Sequence, residues 1–408
     1  MKIAFATSSF RGGGITSYAF EFIKAFKDEH EISVLIGDDS KEPIEYENVK
    51  VYKCESADLS VENAQSALHL ISDVISPDIL FISNSRIVSL IIPYIPDNIR
   101  VITIGHSQKY IEADLAAFQA SYLDSIVALS TYSEKYISKR FHLRNLEKCV
   151  VLPNFVHSIN GVPELIGKKI NSDKLQILFM GGSSGSKSPD IVFKIMAELK
   201  KTSLDFIFYW LGNDEPPMKR FLSFKHVSDL FKDDARFVFT GRIPRNDALA
   251  MCERTNVILM PSRREGCPMA LLEAMRSGVI TVTSDYDTAC KDMVIQGKTG
   301  VIIKHNDIKQ FVDVIADLVN NRSKYDDYYK ASYELFESQY SYEVWRQRMN
   351  SLFSDDKRFH KKRYSSFSKK RFAIDKARLK YLDKRNYFVQ LVEETLYPSL
   401  AFFRTKVK

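Results

Sequence analysis

Glu265 and Glu273 close the two ends of the segment Glu-Gly-Cys-Pro-Met-Ala-Leu-Leu-Glu, and its surroundings decide what two carboxylates at that spacing can do. The apolar run Asn256-Val-Ile-Leu-Met260 reads as a buried strand, and Pro261-Ser262 turns the chain out of it. Pro268 suits the first turn of a helix, where its missing N–H would be unpaired anyway. A helix is therefore expected over residues 269–276, stopped at Ser277-Gly278. Glu265 then lies in the loop at the amino end of that helix, and Glu273 lies inside it. Free N–H groups and the positive dipole end gather at the same place and favour a phosphate. Carboxylates beside a phosphate cradle suit a sugar-like or ribose-like ligand.

Further strand ends carry residues of the same chemical kind. Gly12-Gly-Gly14 falls between the first strand and the first helix; the G-x-G-x-x-G spacing fails at Ser17, so it is no dinucleotide fingerprint. It reads either as a close approach to a ligand or as a tight turn. His106 follows a strand in Ile104-Gly-His-Ser-Gln108. Gly181-Gly-Ser-Ser-Gly-Ser-Lys187 follows the first strand of the second half, and Gly212-Asn-Asp214 and Gly241-Arg242 follow two more. Asp285-Tyr-Asp287 spells a D-x-D that elsewhere holds a divalent ion. It follows an ordinary second-half strand, and no metal is expected there.

These residues resemble family 4 glycosyltransferases, retaining GT-B enzymes that use nucleotide sugars. The likeness rests on the E-x7-E pair within Val257-Ile-Leu-Met-Pro-Ser262, Leu272-Glu-Ala-Met275, Gly278-Val-Ile-Thr-Val282 and Gly297-Lys-Thr-Gly300. It covers roughly residues 1–350, densely in the second half and thinly in the first. The resemblance implies catalytic roles for Glu265, His106 and Lys187. It implies donor binding by Gly13, Gly14, Gly182, Lys187, Arg242, Gly266, Cys267, Met269 and Glu273. Glu273 would accept hydrogen bonds from the ribose hydroxyls, and Glu265 would meet the transferred sugar. The family usually has an arginine where this chain has Gly182, so one diphosphate cation is missing. Arg11, Arg242, Arg245 and Arg264 are the nearest replacements by position, and lysine alone gives a point charge in place of a bidentate fork.

Strand-like runs alternate with amphipathic helices, the pattern of parallel sheets wrapped by helices. Strands are expected near residues 2–7, 32–36, 79–82, 101–104, 126–129 and 150–152, then 177–180, 206–211, 237–240, 257–260, 279–283 and 301–303. Ile15, Tyr18, Ala19, Phe22, Ile23 and Phe26 mark the first helix by their three- and four-residue steps. Residues 157–174 read as a loop. The expected fold class is α/β: two Rossmann-like, doubly wound domains facing a cleft, the GT-B arrangement. Residues 1–165 form the acceptor-side domain and residues 166–340 the nucleotide-sugar domain. Residues 341–353 form a helix crossing back, and residues 354–408 a basic helical extension.

At 408 residues, with 45% hydrophobic and 27% charged content, the chain is globular and long enough for two cores. No run reaches the roughly 18 apolar residues of a membrane span, and the amino terminus does not read as a signal peptide. Five scattered cysteines without a C-x-x-C pair read as reduced thiols of a cytoplasmic protein. The extension holds 16 Lys/Arg against six Asp/Glu, which leaves 42 against 45 elsewhere, so the excess of positive charge sits at the carboxyl end. Two readings of it stand side by side: a surface for an anionic membrane through residues 357–385, and a solvated basic helix pair. Its apolar positions could equally pack on the core or on a partner subunit. Nucleic acid is not an expected partner.

The activity expected from the resemblance is retaining, metal-independent transfer of a hexose, without a cofactor. The donor is a UDP-sugar in preference to a GDP-sugar, and the acceptor is a glycan, lipid-linked, in surface polysaccharide assembly. The alternatives are a GT-B nucleotide-sugar epimerase and a catalytically weak, transferase-like subunit that stabilises a partner.

Overall fold

The computed structural model describes residues 1–7, 14–36, 49–54, 58–106, 111–143, 146–181, 185–212, 224–286 and 288–405. Two compact units emerge, residues 1–153 with 346–387 and residues 154–345 with 388–408. Each is a Rossmann-like α/β domain on a wholly parallel sheet, the GT-B type of domain.

In the first unit the strands are β1 (Lys2–Thr7), β2 (Glu31–Ile36), β3 (Lys50–Lys53), β4 (Ile79–Ser83), β5 (Arg100–Gly105), β6 (Ser125–Ala128) and β7 (Cys149–Val151). They lie in the order β3-β2-β1-β4-β5-β6-β7. Parallel sheets are covered on both faces, and β4 and β5 are accordingly buried at every residue. The helix Gly14–Phe26 turns Tyr18, Ala19, Phe22, Ile23 and Phe26 inward, with the Phe22 ring 4.7 Å from that of Phe5. Sequence periodicity misses β3. It is a short edge strand with lysine at both ends, and only half of the register partner β2's apolar pattern repeats in it.

The second unit holds β8 (Leu175–Met180), β9 (Phe206–Leu211), β10 (Phe237–Gly241), β11 (Val257–Met260), β12 (Ile280–Ser284) and β13 (Gly300–Ile303), in the order β10-β9-β8-β11-β12-β13. In both sheets the order reverses once, beside β1 and β4 and beside β8 and β11. Open α/β sheets bind ligands outside the strand ends at such a reversal.

Two expectations need correction. Residues 157–174 are not a loop throughout, because Val162–Ile170 is helical, with Pro163 in its first turn. Gly167 and the paired lysines hide the helix from a propensity reading, and tertiary contact overrides propensity here. Lys169 is buried and donates through Nζ to the Cys252 carbonyl at 3.1 Å and to the Glu253 carbonyl. It thereby serves carbonyls in the last turn of the helix Arg245–Arg254. This docking puts residues 154–165 in the second unit, so the units divide after Pro153 and not at residue 165.

The extension is also more than a solvated basic helix pair. Residues 355–368 run without regular structure and lead into one long helix, Lys369–Thr405. Several of its cations face inward. Arg363 is 5% exposed and donates to the carbonyls of Pro96, Ile99 and Tyr122 and, at 3.0 Å, to the Asp124 carboxylate. Asp124 is fully buried and also accepts from the Val101 N–H and contacts His360 at 2.7 Å. Phe372 and Leu379 complete the first unit's core. The helix Tyr342–Ser354 is shared between the units. Trp345 stacks on Phe155 at 4.1 Å in one, and Phe353 meets Phe26 at 5.2 Å in the other.

Removing one partner of a buried pair leaves an uncompensated charge. Arg363→Met should therefore destabilise the first unit by about 3–5 kcal/mol. Urea unfolding of the full chain reads this as a lowered midpoint, and an unchanged midpoint would contradict the anchoring role.

Candidate functional site

The turn after β8 is shaped around one lysine. Gly181 leaves β8, and a Cβ there would lie 2.9 Å from Cβ of Lys187 and 2.8 Å from the Phe179 ring. Glycine is required because the chain doubles back onto itself. Gly185–Lys187 form a single 3-10 turn, and Ser188 then takes a left-handed φ of 57° before the helix Pro189–Lys200. A serine in that region is strained, and strain persists only where neighbours over-determine it. Here they do. The Arg263 N–H donates to the Ser186 carbonyl at 2.9 Å, and the Arg263 guanidinium grips Asp190 with two bonds of 2.6 and 2.8 Å.

The turn after β11 brings Glu265 to Lys187, with Nζ and Oε1 2.5 Å apart and both side chains largely buried. Of the residues singled out in the sequence, these two are joined directly. The Glu265 carbonyl accepts from the Ala289 N–H at 3.1 Å, and the Cys267 carbonyl accepts from the Asn154 amide at 3.2 Å. Gly266, Cys267 and Met269 thus sit in a backbone path pinned on both sides. The helix Met269–Met275 follows Pro268 as expected, and Gly278 ends the turn with φ 72°. A Cβ at Gly278 would come within 2.8 Å of the Tyr329 carbonyl.

Glu273 is 8% exposed inside that helix. Burial raises its carboxyl pKa above the ordinary value, while Arg245 and Arg276 pull the other way. Arg245 reaches it at 3.3 Å from the start of the helix Arg245–Arg254. Position alone suggested Arg245 only as a substitute phosphate cation; the structure puts it on Glu273. Arg242, the residue named for donor binding, is exposed at the end of β10, the edge strand, two strands from β8. Arg263 was not singled out at all, and nothing in its local sequence separates a clamp from an exposed loop arginine. Its bond to Asp190 spans 73 residues and needs the fold to be seen.

Cys267 and Cys290 are buried, and burial pushes both thiols up to about 12, which removes them as nucleophiles at neutral pH. An Asp285 oxygen is already engaged by the His305 N–H at 2.7 Å and ring at 2.8 Å. Among the described residues no group of three potential metal ligands occurs. In the first unit, His106 follows β5 with Nε2 2.7 Å from the Ser83 hydroxyl and its ring edge-on to Tyr18 at 5.1 Å. Burial lowers its pKa to about 4, so the imidazole is neutral at physiological pH. Gly14 opens the first helix. Arg11, Gly12, Gly13, Gly182, Asn213, Asp214 and Asp287 lie outside the described residues.

Residues 164–335 match the family described as "Glycosyl transferases group 1". The Bacillus subtilis protein called uncharacterized glycosyltransferase YqgM is 25% identical over 202 residues, 49% of this chain and 53% of that protein. The Staphylococcus aureus capsular polysaccharide biosynthesis glycosyltransferase CapM is 23% identical over 129 residues, 30% of this chain and 34% of that protein. The chain spans about half the length of the first of these curated relatives. The crystal structure of Anabaena Alr3699/HepE in complex with UDP aligns with a TM-score of 0.69. The alignment covers 87% of this chain and 100% of that one at 13% identity, a likeness of fold. The match to the glycosyl transferases group 1 family spans the segment that carries Lys187, Glu265 and Glu273.

Proposed function

We propose that the chain transfers a hexose from a nucleoside diphosphate donor, a UDP-sugar in preference to a GDP-sugar, to a glycan acceptor with retention at the anomeric carbon. The observation that carries this reading is the Lys187–Glu265 pair at the ends of the adjacent strands β8 and β11. An ammonium has three donors, so Lys187 can keep Glu265 and still give one to a phosphate oxygen. A carboxylate has about four acceptor sites, so Glu265 can keep Lys187 and take hydroxyls of a sugar. The pair joins a cation for the leaving group to an acceptor for the transferred sugar. That HepE was crystallised with UDP supports the donor class.

The route follows the family 4 resemblance. The acceptor oxygen forms its bond to the anomeric carbon on the face from which the diphosphate leaves. The carbon–oxygen bond to phosphate breaks, and the departing phosphate oxygen takes the acceptor's proton. Lys187 offsets the charge that grows on that oxygen, and a preorganised donor of this kind contributes about 3–4 kcal/mol to a barrier. Neutral His106 offers a hydrogen bond to a sugar hydroxyl and no charge. No enzymic base and no metal ion takes part in this route. Arg263 is committed to Asp190, so the cation in place of the family arginine comes from elsewhere, with Arg245 a short reach from the pocket end of Glu273. The capsular polysaccharide biosynthesis in CapM's name supports a surface-glycan acceptor, and a lipid-linked one would bring the protein to the cytoplasmic face of a membrane. A weakly catalytic subunit is the competing reading, because the arginine position is Gly182. Donor hydrolysis by the purified chain argues against that alternative.

Three outcomes test this. UDP or a UDP-sugar should raise the melting temperature, by about 2.7 kcal/mol of apparent stability at a hundred times its dissociation constant. No response to any nucleoside diphosphate or nucleotide sugar would end the donor reading. Glu273→Gln should weaken UDP binding about ten- to a hundredfold, the worth of a hydrogen bond to a charged acceptor. The contribution of a carboxyl with a raised folded pKa is full below its unfolded pKa and is lost as pH rises through the folded one. At pH 7 the same variant should then melt no lower than the parent, and calorimetry with melting curves reads both. The His106 ring should titrate near 4 by NMR, leaving activity between pH 5 and 8 free of its ionisation. A lowered folded pKa means that its contribution to stability is intact above about 6.5 and fades as pH falls towards 4.

A further inference from the structure

The helix Lys369–Thr405 has two unlike sides over the stretch whose side chains are described. Phe372, Asp375, Leu379 and Asn386 are buried against the first unit at three-, four- and seven-residue steps. The opposite side presents Ile374, Tyr381 and Phe388 at seven-residue intervals, 49%, 68% and 65% exposed. Seven residues are nearly two turns, so the three form one stripe along the helix. Lys370, Lys380 and Lys384 are exposed beside it.

The acids of this stretch are Asp375 and Asp383, and neither is on the stripe. Asp375 is fully buried and bonded to Arg371 at 3.0 Å and Arg378 at 3.1 Å. Asp383 pairs with Arg86 of the first unit at 3.1 Å. The outer face is therefore lysine, aromatic and aliphatic, with no carboxylate. A second copy laid on it would set lysines against lysines without an acid to offset them. Anionic lipid headgroups match it on both counts: they attract each lysine, and rings of this type settle at the boundary between headgroup and acyl chain.

We propose that the face of this helix marked by Lys370, Ile374, Lys380, Tyr381, Lys384 and Phe388 is a docking surface for an anionic bilayer. The helix lies on the membrane there; no helix among the described residues is long and apolar enough to cross it. The inference sharpens the membrane reading above and rests on no particular donor. It also moves the contact away from Arg363, which is buried.

The full-length protein is sedimented with vesicles of phosphatidylcholine containing phosphatidylglycerol, and with phosphatidylcholine alone, at low and raised salt. Pelleting is expected only with phosphatidylglycerol, with release by salt. Lys370→Glu/Lys380→Glu/Lys384→Glu should lower the partition on the order of a hundredfold, three lysines each worth about fivefold. The corresponding glutamine variant, milder for folding, should lose binding in the same direction. Equal pelleting of parent and variants, or no pelleting with phosphatidylglycerol, overturns the proposal. So does a dimer in sedimentation velocity that Tyr381→Ser/Phe388→Ser abolishes, because a second copy would then own the face. Stabilisation by UDP, read on the same samples, should be unchanged in every variant, which separates failure of the surface from failure of the donor reading.

Discussion

A parallel sheet covered on both faces leaves polar chemistry almost nowhere to go except the strand ends. In both units the central strands are buried along their length, and several residues of chemical interest lie in the turns that follow a strand. His106 follows β5, Lys187 follows β8 and Glu265 follows β11. The two charges sit side by side because β8 and β11, distant in sequence, are neighbours in the sheet. Once that adjacency is fixed, the rest of the second unit is support. Gly181 gives Lys187 room, Arg263 and Asp190 hold its turn, and Asn154 and Ala289 pin the backbone around Glu265.

Charged groups here meet three different fates. Arg363 and Lys169 are buried among carbonyls and act as internal clamps, and burial lowers the Lys169 pKa to about 8. Lys187 and Glu265 are largely buried and paired directly with each other. Glu273 is the least comfortable, since burial raises its pKa despite two nearby arginines. A carboxylate kept at some cost to stability, beside an arginine that is mostly exposed, marks a candidate functional site.

Much of this could be read from the chain. Twelve of the strands announce themselves as apolar runs, and the helix after Pro268 is fixed by its proline and its Ser277-Gly278 stop. The misses share one cause. The edge strand Lys50–Lys53, the helix Val162–Ile170 and the inward-facing Arg363 each owe their state to partners far away in sequence. Local pattern gives a lysine-capped strand, a glycine-broken helix and a buried arginine no signature. The Arg245–Glu273 and Arg263–Asp190 pairs were illegible for the same reason, whereas Lys187 and Glu265 were visible because glycine-rich turns flag strand ends.

The first unit is assembled from two separate stretches of the chain, since residues 346–387 seal a core begun by residues 1–153. A ribosome adds roughly 5–20 residues per second. The seven-stranded sheet therefore waits on the order of ten to forty seconds for Arg363 and Phe372 to emerge. Until then Asp124 is without its guanidinium, and the apolar pocket around Tyr94 and Phe118 is open to water. During that interval residues 154–345, most of the second unit, are made. The first unit is thus begun before the second and completed only after most of the second has been made.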